Sequence, residues 1–184
     1  EKMGVSYNKP EIDLEKIRSH KNKIVSQLNQ GIDRMAKARG VETIQGLASF
    51  KSNNETVVKT KTSEINIEFE KCIIASGSRS GMISGLDSNH KSILTSRTAL
   101  ELSDIPKKLI VIGGGAIGLE LGQVYASLGS EITLLEFMPN LIPGADTDIV
   151  KPLHRKLTKQ FSSILLSTKV KTVKLNKDDS VKVT

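Results

Sequence analysis

An apolar strand, a glycine-rich turn and a helix follow one another without a break at residues 109–122 and set the fold class of this chain. The stretch reads LIVIGGGAIGLELG, with glycines at 113, 115 and 118 in the spacing G-x-G-x-x-G. A second predicted strand, EITLLE, follows the helix and ends in the carboxylate of Glu136. A strand, a helix and a strand of these lengths form a parallel unit with a right-handed crossover. We therefore predict an α/β fold that contains a Rossmann-type β-α-β unit.

The glycines of this motif have separate physical tasks in binding a dinucleotide. Gly113 permits the tight turn after the strand, Gly115 lets the backbone approach a pyrophosphate, and Gly118 lets the helix pack closely on the sheet. The helix N-terminus, at Ala116 and Ile117, would offer unpaired amides and the positive end of the helix dipole to the phosphates. Glycines placed for packing alone, with no ligand, are the alternative. The complete series of strand, turn, helix and acidic end favours a dinucleotide site.

Two carboxylates near the motif bear on which dinucleotide would bind. Glu136 would accept hydrogen bonds from an adenosine ribose, and its charge would repel a 2′-phosphate. Phe137 and the two residues after it include no arginine that could hold a 2′-phosphate, so the sequence predicts NAD rather than NADP. Glu120 is ambiguous from the residues alone, because the helix dipole stabilises a carboxylate there with or without a function.

The chain before the motif predicts a long helix and a small β meander. Apolar residues recur at three- and four-residue steps over residues 11–39, and Gly40 supplies a left-handed C-terminal position for one long helix. Beyond Gly40, short apolar or alternating runs between turn residues predict strands at 41–46, 48–50, 56–60, 64–69 and 71–76. Cys72 lies in the last of these runs, where a buried and unreactive thiol is expected.

Pro106 marks the predicted domain boundary. A short predicted helix over residues 95–103 precedes it, and the β-α-β pattern begins directly after it. A further amphipathic helix and three further strands are predicted at residues 147–161, 164–167, 169–175 and 180–184. We therefore predict two partial domains, residues 1–106 and residues 107–184.

The composition limits the classes of function. Hydrophobic residues make up 38% and charged residues 26% of the 184 positions, and no apolar run approaches the roughly 20 residues that cross a bilayer. With no apolar leader at the N-terminus, these features predict a cytoplasmic protein. The net charge of +7 is spread without a dense Lys/Arg block and the aromatic content is 3%, which argues against nucleic-acid binding. The histidines and the single cysteine have no partners at the spacing of a metal site or a catalytic pair.

Several stretches resemble one family of flavoenzymes. They are IQGLASF, CIIASGSRS, TSRTALEL, LIVIGGGAIGLELG and IPGADTDIVK, and the resemblance covers essentially the whole chain. The sequence resembles the flavoprotein pyridine-nucleotide disulfide oxidoreductases, and within them the dihydrolipoamide dehydrogenases of bacterial pyruvate dehydrogenase complexes. This resemblance implies FAD and NAD as cofactors and a homodimeric full enzyme. It also implies that the substrate is dihydrolipoamide on the lipoyl domains of 2-oxoacid dehydrogenase complexes.

The resemblance implies contacts to FAD in the first partial domain. Residues 1–106 match the later part of the family's FAD domain. Ala48 matches a position whose backbone meets the FAD adenine. Ser76, Gly77 and Ser78 match the second flavin motif, Thr/Ser-Gly-Ser/Ala, with Ser76 in place of the commoner threonine.

The resemblance also extends the set of NAD-binding residues. Residues 107–184 match the start of the family's NAD domain, including the glycine motif and Glu136. Glu120 matches a glutamate near the nicotinamide and the flavin, which favours a functional role for this residue. Val170 matches a residue that contacts the adenine of NAD.

Other parts of the family pattern are missing from this chain. The family passes electrons from dihydrolipoamide to a CxxxxC disulfide, then to FAD and then as hydride to NAD, with a His-Glu pair from the partner subunit as acid-base catalyst. This chain has one cysteine, no first glycine fingerprint for the ADP half of FAD, and no histidine followed five residues later by glutamate. We expect an internal fragment that does not turn over alone. A different FAD-dependent disulfide reductase and a non-catalytic dinucleotide-binding module remain as alternatives.

Overall fold

The computed structural model describes Gly4, residues 10–81 and residues 90–184. Two compact units make up the chain: a larger one of Glu1–Arg18 and Ser80–Thr184, and a smaller one of Ser19–Arg79. Helix α1, Leu14–Ala38, begins in the larger unit and continues into the smaller one. This confirms the long helix predicted over residues 11–39. Gly40 follows it with a φ of +68°, in the left-handed region that favours glycine.

The smaller unit contains an antiparallel sheet in the order β1-β2-β3. Its strands are β1, Leu47–Phe50, β2, Glu55–Lys59, and β3, Glu64–Glu68. These confirm three of the five strands predicted for the meander. Val58 of β2 is the one buried hydrophobic residue that this unit contains.

The other two predicted strands, at residues 41–46 and 71–76, are wrong. Neither segment pairs with a neighbouring strand in the described part of the chain, and a strand forms only where a neighbour takes its backbone hydrogen bonds. Ile73 is 92% exposed, and Cys72 beside it is also exposed. The expectation of a buried thiol at Cys72 is therefore wrong as well, because no described residue covers this run.

The larger unit contains the parallel β-α-β arrangement. Strand β4, Lys108–Ile112, and strand β5, Glu131–Leu135, are joined by a helix, and β6, Ser163–Leu165, pairs with β5. All three strands are parallel, in the order β4-β5-β6. The predicted Rossmann-type unit is thereby confirmed.

The helices of the larger unit agree with the sequence pattern in position, although two are shorter than predicted. They are α2, Ser96–Ala99, α3, Ala116–Leu128, and α4, Thr147–Leu157. The last two strands, β7, Val173–Leu175, and β8, Val181–Val183, form an antiparallel hairpin of their own. A short turn joins these two strands, so they pair in the antiparallel direction; a parallel pair would need a long crossover. Neither strand belongs to the parallel sheet.

The core of the larger unit is one apolar cluster drawn from α2, α3, β5, α4 and the segments that follow α2, β5 and α4. Its most deeply buried members are 0–2% exposed; they are Leu119, Tyr125, Ile132, Leu134, Leu141 and Leu157. Gly122 faces the ring of Phe161, and a Cβ at that glycine would lie 2.8 Å from the ring carbon Cζ. No helix among the residues described combines the length and the apolarity that crossing a membrane requires.

Tyr125 joins α3 to α2 through a buried hydrogen bond. Its hydroxyl donates to the carbonyl oxygen of Ala99 at 2.9 Å. Burial raises the pKa of the Tyr125 phenol, and the charge of Asp104 adds to the effect. The hydroxyl therefore stays protonated and able to donate at neutral pH.

Tyr125→Phe is expected to lower the free energy of unfolding by about 1 kcal/mol. The phenylalanine ring still fills the core, but the carbonyl of Ala99 loses the shorter of its two hydrogen bonds and keeps only the amide of Leu102 at 3.4 Å. Urea unfolding of the two proteins, followed by circular dichroism, measures the difference. An unchanged midpoint would mean that this bond does not stabilise the fold.

Candidate dinucleotide-binding site

An open pocket of about 330 Å³ lies at the carboxyl ends of β4 and β5. Ligands of open α/β sheets bind at this edge. The pocket brings together three residues that the sequence predicted for NAD, namely Gly113, Glu136 and Val170. Its full lining is Ile112, Gly113, Leu135, Glu136, Phe137, Thr168, Lys169 and Val170.

The glycine-rich turn is bonded to the end of β5 and packed against the start of α3. Gly113 adopts a φ of +109°, and its amide donates to the carbonyl oxygen of Leu135 at 2.8 Å. A Cβ at Gly118 would overlap the carbonyl oxygen of Gly113 and lie 3.2 Å from Cγ1 of Val111. Gly118 is therefore the place where helix, turn and strand come closest, as the motif predicts.

The N-terminus of α3 has no side-chain cap. Its N-cap residue is Gly115, which forms no side-chain hydrogen bond to the helix, and Ala116 and Ile117 after it are exposed. The first amides of a helix have no partner within the helix and carry the positive end of its dipole. This terminus is thus able to bind an anion such as a phosphate.

Glu136 is a buried carboxylate at the end of β5, and its side chain is already hydrogen bonded. The residue is 6% exposed. Its Oε2 accepts the amide of Gly114 at 2.5 Å, and its Oε1 accepts the amide of Met138 at 2.7 Å. Each carboxylate oxygen has a second lone pair. Glu136 can therefore accept a ligand hydroxyl without giving up either bond.

The family of the chain follows from comparison with known proteins. The family model described as pyridine nucleotide-disulphide oxidoreductase matches residues 4–184. The chain belongs to this family.

Curated relatives in the pyridine nucleotide-disulphide oxidoreductase family include dihydrolipoyl dehydrogenases. The enzyme of Vibrio parahaemolyticus is 38% identical over 175 residues, which cover 95% of this chain and 37% of that protein. The mitochondrial enzyme of Pisum sativum is 41% identical over 182 residues, which cover 98% of this chain and 36% of that protein. The chain thus spans little more than a third of the length of these relatives.

A solved structure of a flavoprotein disulfide reductase has a similar fold over most of this chain. The HOCl-induced flavoprotein disulfide reductase RclA of Escherichia coli matches with a TM-score of 0.79 at 26% identity. The match covers 94% of this chain and 39% of RclA. This likeness agrees with the α/β fold class predicted from the sequence.

The residues predicted from the family resemblance for FAD lie in the smaller unit. Ala48 is in β1, exposed, and pairs with Val58 of β2. Ser76, Gly77 and Ser78 are exposed in the irregular segment after β3, and Gly77 has a φ of +71°. No hydrogen bond of the described residues joins Ala48 to this segment.

The sequence analysis did not predict Gly114, which bonds to Glu136, or Lys169, which lines the pocket. Gly114 is the second glycine of GGG, where the fingerprint requires glycine only at the first and third positions, so the extra glycine was an available clue. Lys169 precedes Val170 and brings a cation to the pocket lining, and nothing in its spacing indicated this. Glu120 is exposed on α3 and is not part of the pocket lining.

A small charged cluster in the larger unit was also missed. His90 Nε2 lies 3.4 Å from Asp179 Oδ1, and Lys91 Nζ lies 2.7 Å from Asp179 Oδ2. The hydrogen bond and charge of Lys91 hold the pKa of Asp179 below its ordinary value, with His90 adding to the effect. Asp179 is in the turn between β7 and β8, so the cluster ties that hairpin to residues 90–92. The described residues contain no group of three or more His, Cys, Asp or Glu that could hold a metal ion.

Proposed function

We propose that this chain is the NAD-binding portion of an FAD-dependent dihydrolipoyl dehydrogenase, joined to part of its FAD domain. The main support for this proposal is the pocket at the ends of β4 and β5. There the turn at Gly113 and the buried carboxylate of Glu136 lie side by side. The uncapped N-terminus of α3 begins directly after this turn. An anion site beside a hydroxyl-accepting carboxylate is the combination that the pyrophosphate and ribose of NAD require.

The similarity to named relatives supports the dihydrolipoyl reaction within the family. Identity is 38% and 41% to the two dihydrolipoyl dehydrogenases and 26% to the reductase RclA. The full enzyme would oxidise dihydrolipoamide on the lipoyl domains of 2-oxoacid dehydrogenase complexes, through a disulfide and FAD, to NAD. It would act as a homodimer in the cytoplasm. This chain contains one cysteine, so it cannot form the redox disulfide within itself.

The proposed division places an FAD-binding part at residues 1–106 and an NAD-binding part at residues 107–184. Ala48 would meet the FAD adenine through its backbone, and Ser76, Gly77 and Ser78 would contact the flavin cofactor. The left-handed φ of Gly77 supports the second assignment, because a side chain is disfavoured there. The exposed hydroxyls and amides of this segment are available as donors.

In the proposed NAD site, the glycine-rich turn and the start of α3 bind the pyrophosphate. Gly113 would allow the tight turn, Gly118 would let the helix pack against that turn, and Gly115 would let the pyrophosphate approach the backbone. The amides of Ala116 and Ile117 would hold the pyrophosphate. When bound, NAD would supply the acceptor for the hydride.

The remaining proposed contacts are to the adenosine end and the nicotinamide end of NAD. Glu136 would accept hydrogen bonds from the hydroxyls of the adenosine ribose, and Val170 would contact the adenine. Glu120 would lie near the nicotinamide. Val170 and Glu136 line the same pocket, which supports placing the adenosine there.

A comparison of NADH with NADPH tests this proposal. These ligands differ only in the 2′-phosphate, which would face the buried carboxylate of Glu136. We expect NADH to bind at least about tenfold more tightly, a difference of about 1.4 kcal/mol. Isothermal titration calorimetry on the 184-residue chain measures both constants.

Two matched variants control this comparison. Glu136→Gln removes the negative charge of this side chain from the pocket. It is expected to reduce the ratio of NADH affinity to NADPH affinity. Glu131→Gln changes the same residue type at the far, exposed end of β5 and is expected to leave the preference unchanged. Equal binding of NADH and NADPH by the wild-type chain would contradict the role given to Glu136, and no binding of either would contradict the proposed function.

A further inference from the structure

The loop at residues 138–145, here named the strap, is bonded to the glycine-rich turn through Gly114. The amide of Ile142 donates to the carbonyl oxygen of Gly114 at 2.8 Å. The amide of Gly114 in turn donates to Oε2 of Glu136 at 2.5 Å. Both backbone polar groups of Gly114 are therefore engaged, one by the strap and the other by the carboxylate of the pocket.

Packing at Gly114 adds to these two hydrogen bonds. A Cβ at this glycine would lie 2.8 Å from Cδ2 of Leu141 and 3.1 Å from Oε2 of Glu136. Leu141 belongs to the strap, is 1% exposed and is part of the apolar core. The strap thus fills the space beside Gly114 with a side chain that the core itself holds in place.

The strap is held in a conformation that its own sequence disfavours. Ile142 has a φ of +47°, in the left-handed region that a β-branched residue rarely adopts. Such a conformation persists only where the surroundings fix it, and it is concentrated at functional sites. The bond from Ile142 to Gly114, and a second from the amide of Ala145 to the carbonyl of Ile142 at 3.1 Å, are the local contacts that fix it.

The start of the strap is anchored to the same pocket. The amide of Met138 donates to Oε1 of Glu136 at 2.7 Å. The carbonyl of Met138 accepts the amide of Ser167 at 3.1 Å, directly before the pocket residues Thr168 and Lys169. One carboxylate therefore bonds both the strap and the glycine-rich turn.

We propose that the strap is a positioning element of the dinucleotide site. By fixing Gly114 between Glu136 and Ile142, it sets the distance between the ribose-binding carboxylate and the amides at the start of α3 before any ligand binds. Donors and acceptors that are already ordered bind more tightly, because the cost of ordering them has been met on folding. This inference rests on the NAD site proposed above, and Leu141 and Ile142 act in it through Gly114 rather than by touching the ligand.

The decisive comparison is between two substitutions at Ile142. Ile142→Pro removes the amide hydrogen and forces φ to negative values, so the bond to Gly114 is lost. Ile142→Gly keeps that amide and accepts a positive φ, so it controls for loss of the side chain. NADH affinity is measured by calorimetry, and protection of the Gly114 amide is measured by hydrogen exchange with NMR detection.

We expect Ile142→Pro to weaken NADH binding by roughly tenfold, because the glycine-rich turn must then be ordered when NADH binds. The Gly114 amide should exchange faster in that variant, while the amide of Leu134 in the core strand keeps its protection. Ile142→Gly should bind NADH within about twofold of the wild-type chain, a difference of about 0.4 kcal/mol. Circular dichroism checks that each variant is folded.

A second variant keeps the inference testable if Ile142→Pro does not fold. Gly114→Ala adds one methyl group against Leu141 and Glu136 without changing the strap sequence, and it should also weaken NADH binding. If the wild-type chain binds NADH and every folded variant binds it equally well, the strap inference is overturned while the NAD site stands. If the wild-type chain does not bind NADH, the proposed function and this inference both fail.

Discussion

Gly118→Ala is expected to lower the free energy of unfolding by about 2–3 kcal/mol. The added methyl would overlap the carbonyl oxygen of Gly113, which is backbone and cannot rotate away. Replacing glycine by alanine inside a helix gains about 1 kcal/mol in helix propensity, but forcing a methyl into a packed contact of this kind costs about 3 kcal/mol or more. The overlap therefore outweighs the gain, and urea unfolding measures the net effect.

Gly115→Ala is the matched control for this prediction, since the same methyl is added three residues earlier. Gly115 has a φ of −75°, and no atom lies within 4 Å of a Cβ built there. The stability of this variant should stay within about 1 kcal/mol of the wild-type value. Its NADH affinity should fall, because the methyl stands where the pyrophosphate would approach the backbone. Equal stability losses in the two variants would contradict the close packing assigned to Gly118.

The β-α-β unit was predictable because its determinants are local. Apolar runs of strand length, glycines at fixed offsets and a helix of suitable length occupy consecutive positions, and β4, α3 and β5 form where these patterns lie. The long helix α1 was predictable for the same reason, since its apolar positions recur with the helical period.

The two absent strands show where local pattern fails. The run at residues 71–76 is apolar enough for a buried strand, yet Ile73 and Ile74 are exposed. Pairing depends on a neighbouring strand, and the sheet of the smaller unit ends at β3. An apolar run therefore predicts what a segment would bury, but not whether the described chain provides the partner.

The residues of the candidate site also fall into those that the sequence predicted and those that it did not. Gly113, Glu136 and Val170 were predicted and line one pocket, because the first two follow directly from strand ends and the third from the family pattern. Leu141 and Ile142 were missed, because their contacts with Gly114 depend on how a loop without regular structure folds back. The positive φ of Ile142 is set by tertiary contacts, and its sequence gives the opposite preference.

Glu136→Ala is expected to lower the free energy of unfolding by about 3 kcal/mol, because two hydrogen bonds to a charged acceptor are lost at about 1.5 kcal/mol each. The amide of Gly114 is buried, and a buried amide that loses its acceptor costs about 1–3 kcal/mol. Truncation also removes the cost of burying a charge, but breaking one side of a buried bond is generally the larger effect. Urea unfolding measures the loss, and Glu131→Ala, at the exposed end of the same strand, should change stability by less than about 0.5 kcal/mol.

Glu136→Gln distinguishes the two roles proposed for this side chain, which are to stabilise the glycine-rich turn and to bind the ribose of NAD. Glutamine keeps the shape and one acceptor oxygen, so it can satisfy one of the two amides, and its stability should lie between those of the wild-type chain and Glu136→Ala. NADH affinity, measured well below the unfolding transition, should fall in both variants because the ribose hydroxyls lose a charged acceptor. If both variants lose stability but the folded protein binds NADH with unchanged affinity, Glu136 holds only the glycine-rich turn, and the ribose must be bound by other groups of the pocket. If affinity falls while stability does not change, the bonds to Gly114 and Met138 do not stabilise the fold in solution, and the carboxylate serves the ligand alone.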